Sequence, residues 1–151
     1  MINFDFQGTK VLVTGASRGI GEAIATGFAR SGARVAVHYH QHMKVAESVC
    51  NSLEGTGHIT VGADLGNPVA VEEMVTSTLN EFGQIDILVN NAGIYQEHPI
   101  YQTNYEDWQT VWQQTINVNL IGAANVSYCV AKHMIERRSG RIINVTSRGA
   151  F

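Results

Sequence analysis

The chain has 151 residues, of which 44% are hydrophobic and 15% charged, and carries a net charge of −3. That balance excludes intrinsic disorder, and a mildly acidic chain has neither the basic footprint of a nucleic-acid binder nor the basic stripe of a membrane-surface protein. Cys50 and Cys129 are the only cysteines and stand far apart, which reads as two core thiols in a reducing compartment rather than a disulfide. The start, Met1 to Asp5, lacks the charged-then-apolar pattern of a leader, and the apolar segment Val118–Met134 is broken by Asn119, Asn125, Lys132 and His133. No membrane span is read, and the cytoplasm is the expected location.

Short apolar runs alternate with segments of helical period. Lys10–Val13 reads as a first strand, followed by a helix with Ile20, Ile24 and Phe28 on one face and Gly32 as its stop. Arg34–Tyr39 is the second strand; Val45, Val49 and Leu53 supply the stripe of the next helix, closed by Gly55. Ile59–Ala63 is the third strand. Asn67-Pro68 then opens a helix whose Val71, Met74, Val75, Thr78, Leu79 and Phe82 run to Gly83. Ile85–Val89 is a fourth strand, apolar enough to be covered on both faces. After a loop over residues 94–103, Thr103 with Glu106 suggests a capping box for a long helical region to about Arg138, and Arg141–Val145 is the fifth strand. The series implies a single α/β domain over residues 1–151. Its expected form is a doubly wound parallel sheet of Rossmann type in three α/β/α layers.

Three clusters carry chemistry. Thr14-Gly15-Ala16-Ser17-Arg18-Gly19-Ile20-Gly21 crowds three glycines where the first strand turns into a helix, so backbone N–H groups and the positive helix end can meet a phosphate. The spacing is Gly-x-x-x-Gly-x-Gly, a moderate signal alone, with a bare tight turn as its plain alternative. Asn90-Asn91-Ala92-Gly93 closes the fourth strand beside that turn, its small residues leaving room for a flat ring, although Asn-rich turns need no ligand. Asp64-Leu65 follows the third strand, where a carboxylate can accept from an adenine amino group or simply start a helical turn.

Together these residues resemble the short-chain dehydrogenase/reductase family. Thr14–Gly21 is similar to its cofactor motif, Asp64 to its adenine contact and Asn90–Gly93 to its Asn-Asn-Ala-Gly segment. Asn119, in Val118-Asn119-Leu120-x-Gly122, is similar to its active-site asparagine, and Ser147, in the stretch from Gly140 to Gly149, to its catalytic serine. The resemblance implies a nicotinamide cofactor held by Gly15, Ser17, Arg18, Gly19, Ile20, Gly21, Tyr39, Asp64, Leu65, Asn91, Ala92 and Gly93. It also implies hydride transfer to or from a carbonyl or alcohol substrate, with Ser147 and Asn119 catalytic. The family's Tyr-x-x-x-Lys pair follows the serine, past Phe151. The 151 residues by themselves are therefore expected to be inactive, while the parent protein is expected to be a reductase or dehydrogenase. A non-enzymatic nucleotide-binding or interaction module ending at Phe151 is the reading carried beside it.

The second strand ends in His38-Tyr39-His40 with no acid to bind both ribose hydroxyls, and Arg18 is placed to pair with a 2′-phosphate. NADP(H) is therefore the expected cofactor, with NAD(H) as the alternative. His38, His40 and His42 alternate and would share one side of an extended strand, but no fourth ligand matches them and no metal is expected. Trp108, Trp112 and Ile116 read as a core or partner-packing stripe. Val118–Met134 is apolar on more than one face, so a homo-oligomer is expected.

Overall fold

The computed structural model describes residues 4–147; the first three residues and residues 148–151, including Gly149 of the serine motif, lie outside the described residues. Five strands, β1 (Lys10–Val13), β2 (Arg34–Tyr39), β3 (Ile59–Gly62), β4 (Ile87–Asn90) and β5 (Arg141–Asn144), form one sheet in the order β3-β2-β1-β4-β5. Every pairing is parallel. The helices are α1 (Gly19–Arg30), α2 (Met43–Ser52), α3 (Pro68–Phe82), α4 (Tyr105–Ile116) and α5 (Ala123–Arg137). Among the described residues no helix is long and apolar enough to cross a membrane.

The two faces follow from the alternation of side chains along each strand. Val11, Val13, Val35, Val37 and Val89 point to one side and pack with Ala25 and Ala29 of α1 and Ala46 and Val49 of α2. Leu12, Ala36 and Leu88 point to the other, against Val71, Met74 and Val75 of α3 and Val126, Val130 and Met134 of α5. A strand segment covered on both faces favours apolar side chains throughout, as Val11–Val13 of β1 and Ile87–Val89 of β4 show. The helix punctuation also acts as the sequence suggests: Asn67 Oδ1 accepts from Val69 N–H at 3.0 Å and Ala70 N–H at 3.3 Å, and Gly83 ends α3 with φ of 76°.

Several local expectations are corrected. Val45 is exposed, and α2 turns Ala46, Val49 and Leu53 inward, an i, i+3, i+7 face that suits a helix as well as the expected stripe. The cap of α4 is Asn104 rather than Thr103: its Oδ1 accepts from Asp107 N–H at 2.9 Å and its amide donates to Asp107 Oδ2 at 2.7 Å. The capping pair keeps its three-residue spacing and moves by one position. The long helix from Tyr105 is interrupted by a π-helical segment, Asn117–Gly122, before α5 begins. Trp108, Trp112 and Ile116 do not form core; Val111 is the buried residue of α4, and the two tryptophan rings pack on each other at 5.5 Å. The third strand ends at Gly62, one residue early, and the fourth is shifted at both ends, running from Ile87 to Asn90.

At the N-terminal end of the sheet Asp86 joins β1, β4, β5 and α5. Its Oδ2 accepts from Lys10 N–H at 2.9 Å, its Oδ1 from Arg137 at 2.7 Å, and its backbone exchanges bonds with Lys10 and Arg141. Burial by itself would raise the Asp86 pKa; hydrogen bonds from Lys10, Gln84 and Arg137 and the Arg137 charge outweigh it and hold the carboxyl below its ordinary value. Because the folded pKa is depressed, this stabilisation is complete above the ordinary carboxylate range and is lost as pH falls through the folded value. Asp86→Asn is expected to cost about 1–3 kcal/mol at neutral pH. Urea unfolding at neutral and acid pH should show this deficit shrinking as the wild-type carboxylate protonates.

Candidate functional site

Strand β1 is where the chain order reverses: β2 and β3 extend to one side of it, β4 and β5 to the other. The segments leaving β1 and β4 therefore diverge and open a crevice at the C-terminal ends of the strands, the usual ligand position in such sheets. A cleft of about 570 Å³ lies there. All twelve residues expected to hold a cofactor line it, from the glycine turn through Tyr39, Asp64 and Leu65 to Asn91, Ala92 and Gly93. His38, His40, Gln41, His42, Ala63, Ile94 and Val118 complete the lining.

The glycine turn is built by close approach. Gly15 has φ of 64°, and a Cβ there would stand 2.9 Å from Ala92 Cα. A Cβ on Gly21 would run into the Gly15 carbonyl and the Asn91 amide. The turn delivers the chain into α1, whose N-cap residue, Arg18, makes no side-chain capping bond. By contrast α3 and α4 are capped by Asn67 and Asn104. The first turn of α1 thus presents backbone donors and its positive dipole end to the cleft, the arrangement that accepts a phosphate.

Thr14 and Asn91 fasten the two turns together. Thr14 Oγ1 accepts from the N–H groups of Asn91 and Ala92, both at 3.0 Å, and donates to Val89 O at 3.3 Å. The Asn91 amide donates to Thr14 O at 3.0 Å and Gly15 O at 3.2 Å. His38 closes the other flank. It is only 2% exposed, its Nδ1 accepts from Gly15 N–H at 2.9 Å, and its Nε2 bonds Ala63 O at 3.1 Å. Both ring nitrogens are committed, and the three alternating histidines do not share a strand face: His40 lies past the end of β2, and His42 is the N-cap of α2.

The other expected site residues are placed as follows. Asp64 Oδ1 accepts from Gly66 N–H at 2.8 Å, and Oδ2 stands 4.0 Å from His40 Nε2. Asn119 sits in the π-helical segment and grips the chain leaving β4: its Oδ1 accepts from Ile94 N–H at 2.8 Å and its Nδ2 donates to Ile94 O at 2.9 Å. π-turns are frequent at functional sites. Ser147 follows the end of β5, beyond Val145, whose N–H pairs with Asn90 O at 2.9 Å. Sequence reasoning passed over Thr14 and the structural use of His38. The available signals were a threonine at the very end of an apolar strand and a histidine in register with the inward-facing Ala36.

Burial, partly opposed by the bond to Ala63 and reinforced by His40, lowers the His38 pKa from 6.5 to about 4. A base whose folded pKa is depressed contributes its full stabilisation above the unfolded value and loses it as pH falls through the folded one. Between the unfolded and folded values stability should decline by about 3 kcal/mol, an order-of-magnitude figure, and His38→Asn should flatten that limb of the pH–stability curve measured by thermal melting. Thr14→Val, which strands two amide donors, should cost about 3 kcal/mol by the same assay, and Thr14→Ser markedly less.

The chain matches the family described as short chain dehydrogenase over residues 9–151. It is 42% identical over 138 residues to a 3-oxoacyl-(acyl-carrier-protein) reductase of Synechocystis sp., covering 90% of this chain and 54% of that protein. It is 40% identical over 144 residues to the BbsD subunit of a hydroxy(phenyl)methylsuccinyl-CoA dehydrogenase of Thauera aromatica, covering 94% and 56%. Among solved structures, a short chain dehydrogenase from Burkholderia cenocepacia in complex with NADP superposes with a TM-score of 0.81 at 36% identity, covering 95% of this chain and 57% of that one. A dehydrogenase/reductase from Sinorhizobium meliloti gives 0.84 at 32% identity, covering 98% and 57%. The chain spans about half the length of the curated relatives it matches. With this family match, the parallel sheet and the glycine-lined crevice at its reversal point, the chain belongs to the short-chain dehydrogenase/reductase family.

Proposed function

We propose that the protein containing this chain is an NADP(H)-dependent oxidoreductase acting on a carbonyl or alcohol substrate, with residues 1–151 supplying the cofactor half of its site. The observation that carries the reading is the uncapped N-terminus of α1 behind a turn in which side chains at Gly15 and Gly21 would collide with backbone. Those residues fit a dinucleotide pyrophosphate, because the cradle exists only where no Cβ fills it. The bound nicotinamide would supply the hydride chemistry, which no side chain of this chain can perform. The chain's own task is to bind and orient: the α1 amides hold the pyrophosphate, Asp64 and Leu65 border the adenine end, and Ala92 and Gly93 leave space for the ring.

Arg18 and the absence of an acid after β2 favour NADP(H) over NAD(H), since a guanidinium pairs with a 2′-phosphate in charge-assisted bonds. The relative from Burkholderia cenocepacia was solved with NADP, which supports the same choice. Ser147 is proposed to donate a hydrogen bond to the substrate oxygen. Asn119, by gripping Ile94, shapes the approach to it and serves the proton relay. Proton transfer itself needs a tunable acid–base group. The 151 residues alone are proposed to be inactive for want of the family's Tyr-x-x-x-Lys pair. A second copy of the chain is proposed to cover the exposed Leu120, Ile121, Tyr128 and Ile135.

Isothermal titration of the protein expressed from its complete reading frame should show NADPH binding more tightly than NADH, and Arg18→Ala should reduce that preference by about tenfold or more. Tighter binding of NADH would overturn the cofactor assignment. In a nicotinamide-absorbance assay with carbonyl substrates, Ser147→Ala should lower kcat/KM by about 10²-fold, and residues 1–151 alone should show no turnover.

A further inference from the structure

We propose that His38 is a positioning residue for the cofactor: its imidazole is a strut that sets the Gly15 amide, and with it the pitch of the pyrophosphate-binding turn, against the exit of β3. The inference rests on the cofactor reading above and adds to it a residue that touches no reacting atom. Its basis is geometric. Ala63 O can only accept, so Nε2 must carry the proton and donate across 3.1 Å. Nδ1 is then the acceptor for Gly15 N–H at 2.9 Å. One tautomer of the neutral ring satisfies both partners, and a doubly protonated ring would set N–H against N–H at Gly15.

The backbone of the same residue holds the next amide, since Ala16 N–H donates to His38 O at 2.9 Å. Two consecutive amides of the turn are thereby committed to His38, one to its ring and one to its carbonyl. The far end of the strut is equally well placed. Ala63 precedes Asp64 and Leu65, and its own N–H is held by Tyr39 O at 3.0 Å. A single side chain therefore couples the pyrophosphate turn to the segment that borders the adenine end, so the two subsites keep a fixed separation.

The titratable groups around the strut are His40, whose charge disfavours protonation of His38, together with Asp64, Arg18, Tyr39 and His42 on the cleft wall. Burial is the largest influence and keeps the ring neutral at physiological pH. The strut is thus in the accepting state in the open cleft at neutral pH. A cationic ring here would attract phosphate but would release the Gly15 amide.

Two substitutions separate this role from packing. In His38→Asn the amide oxygen falls where Nδ1 stood and keeps the Gly15 bond. In His38→Gln the amide reaches the place of Nε2, keeps the Ala63 bond and leaves Gly15 N–H without its acceptor. In the protein expressed from its complete reading frame, H38Q should weaken NADPH binding about tenfold or more. The loss should fall on KM for NADPH with kcat at saturation little changed, and H38N should recover most of the affinity. Nitrogen NMR of the wild type should find the His38 ring neutral with its proton on Nε2. Equal losses in H38N and H38Q, wild-type affinity in H38Q, or a proton on Nδ1 would each overturn the strut. Failure of the wild type to bind either NADPH or NADH would instead overturn the cofactor reading, and this inference with it.

Discussion

Thr14 and Asn91 are 77 residues apart in sequence and are joined by two hydrogen bonds, both donated by Asn91. One runs from its backbone N–H to the Thr14 hydroxyl and the other from its side-chain amide to the Thr14 carbonyl; the cleft is held in shape by them. The Thr14 hydroxyl satisfies two consecutive amides of the turn after β4, and the Asn91 side chain satisfies two consecutive carbonyls of the turn after β1. With the backbones drawn that close, no Cβ fits at Gly15 or Gly21. The glycines are thus a consequence of the stitching as much as a cause of the turn. Loss of the stitch would leave buried donors unpaired and let the two turns separate, so the pocket and the local stability stand on the same bonds.

The two ends of the sheet are fastened by different chemistry. At the N-terminal end of the strands, Asp86 and Arg137 form a charged staple at 2.7 Å. At the C-terminal end the fasteners are neutral: Thr14, Asn91, His38, and Asn90, whose amide donates to Ser127 Oγ at 2.8 Å and to Asn144 Oδ1 at 2.9 Å. A carboxylate in the place of Thr14 or His38 would oppose the positive end of α1 and repel a phosphate. Neutral hydrogen-bonding groups hold the backbone equally well and leave the helix dipole undiminished. The charged staple sits at the end of the sheet away from the proposed cofactor cleft.

Much of this was legible in the chain. The alternation of apolar runs with helical stripes specified a parallel α/β sheet, because each run needs cover on both faces, and Asn67-Pro68 and Gly83 marked α3 correctly. The motif residues were legible as a set, and the structure brings all of the expected cofactor positions to one cleft. What escaped was decided by neighbours. Val45 and Ala46 are both credible inward residues until α2 meets β2, and Asn104 wins the cap over Thr103 because its amide can bond Asp107 twice. The π-helical segment leaves no trace in hydrophobic period. It is visible only where Gly122 lies against Leu65, with no room for a Cβ, and Asn119 reaches Ile94.

Local chemistry marked most of the elements and their order along the chain and pointed to a ligand class, since periodicity, caps and glycine spacing act over a few residues and need no knowledge of distant ones. The partnerships across the sheet did not follow from it. A histidine at the end of β2 is equally consistent with a metal ligand, a surface base or a buried strut. Only the adjacency of β1, β2 and β3 puts an amide on one side of that ring and a carbonyl on the other. Hydrogen-bond identity at such a place is a property of three chain segments meeting in space, and no one of them encodes it alone.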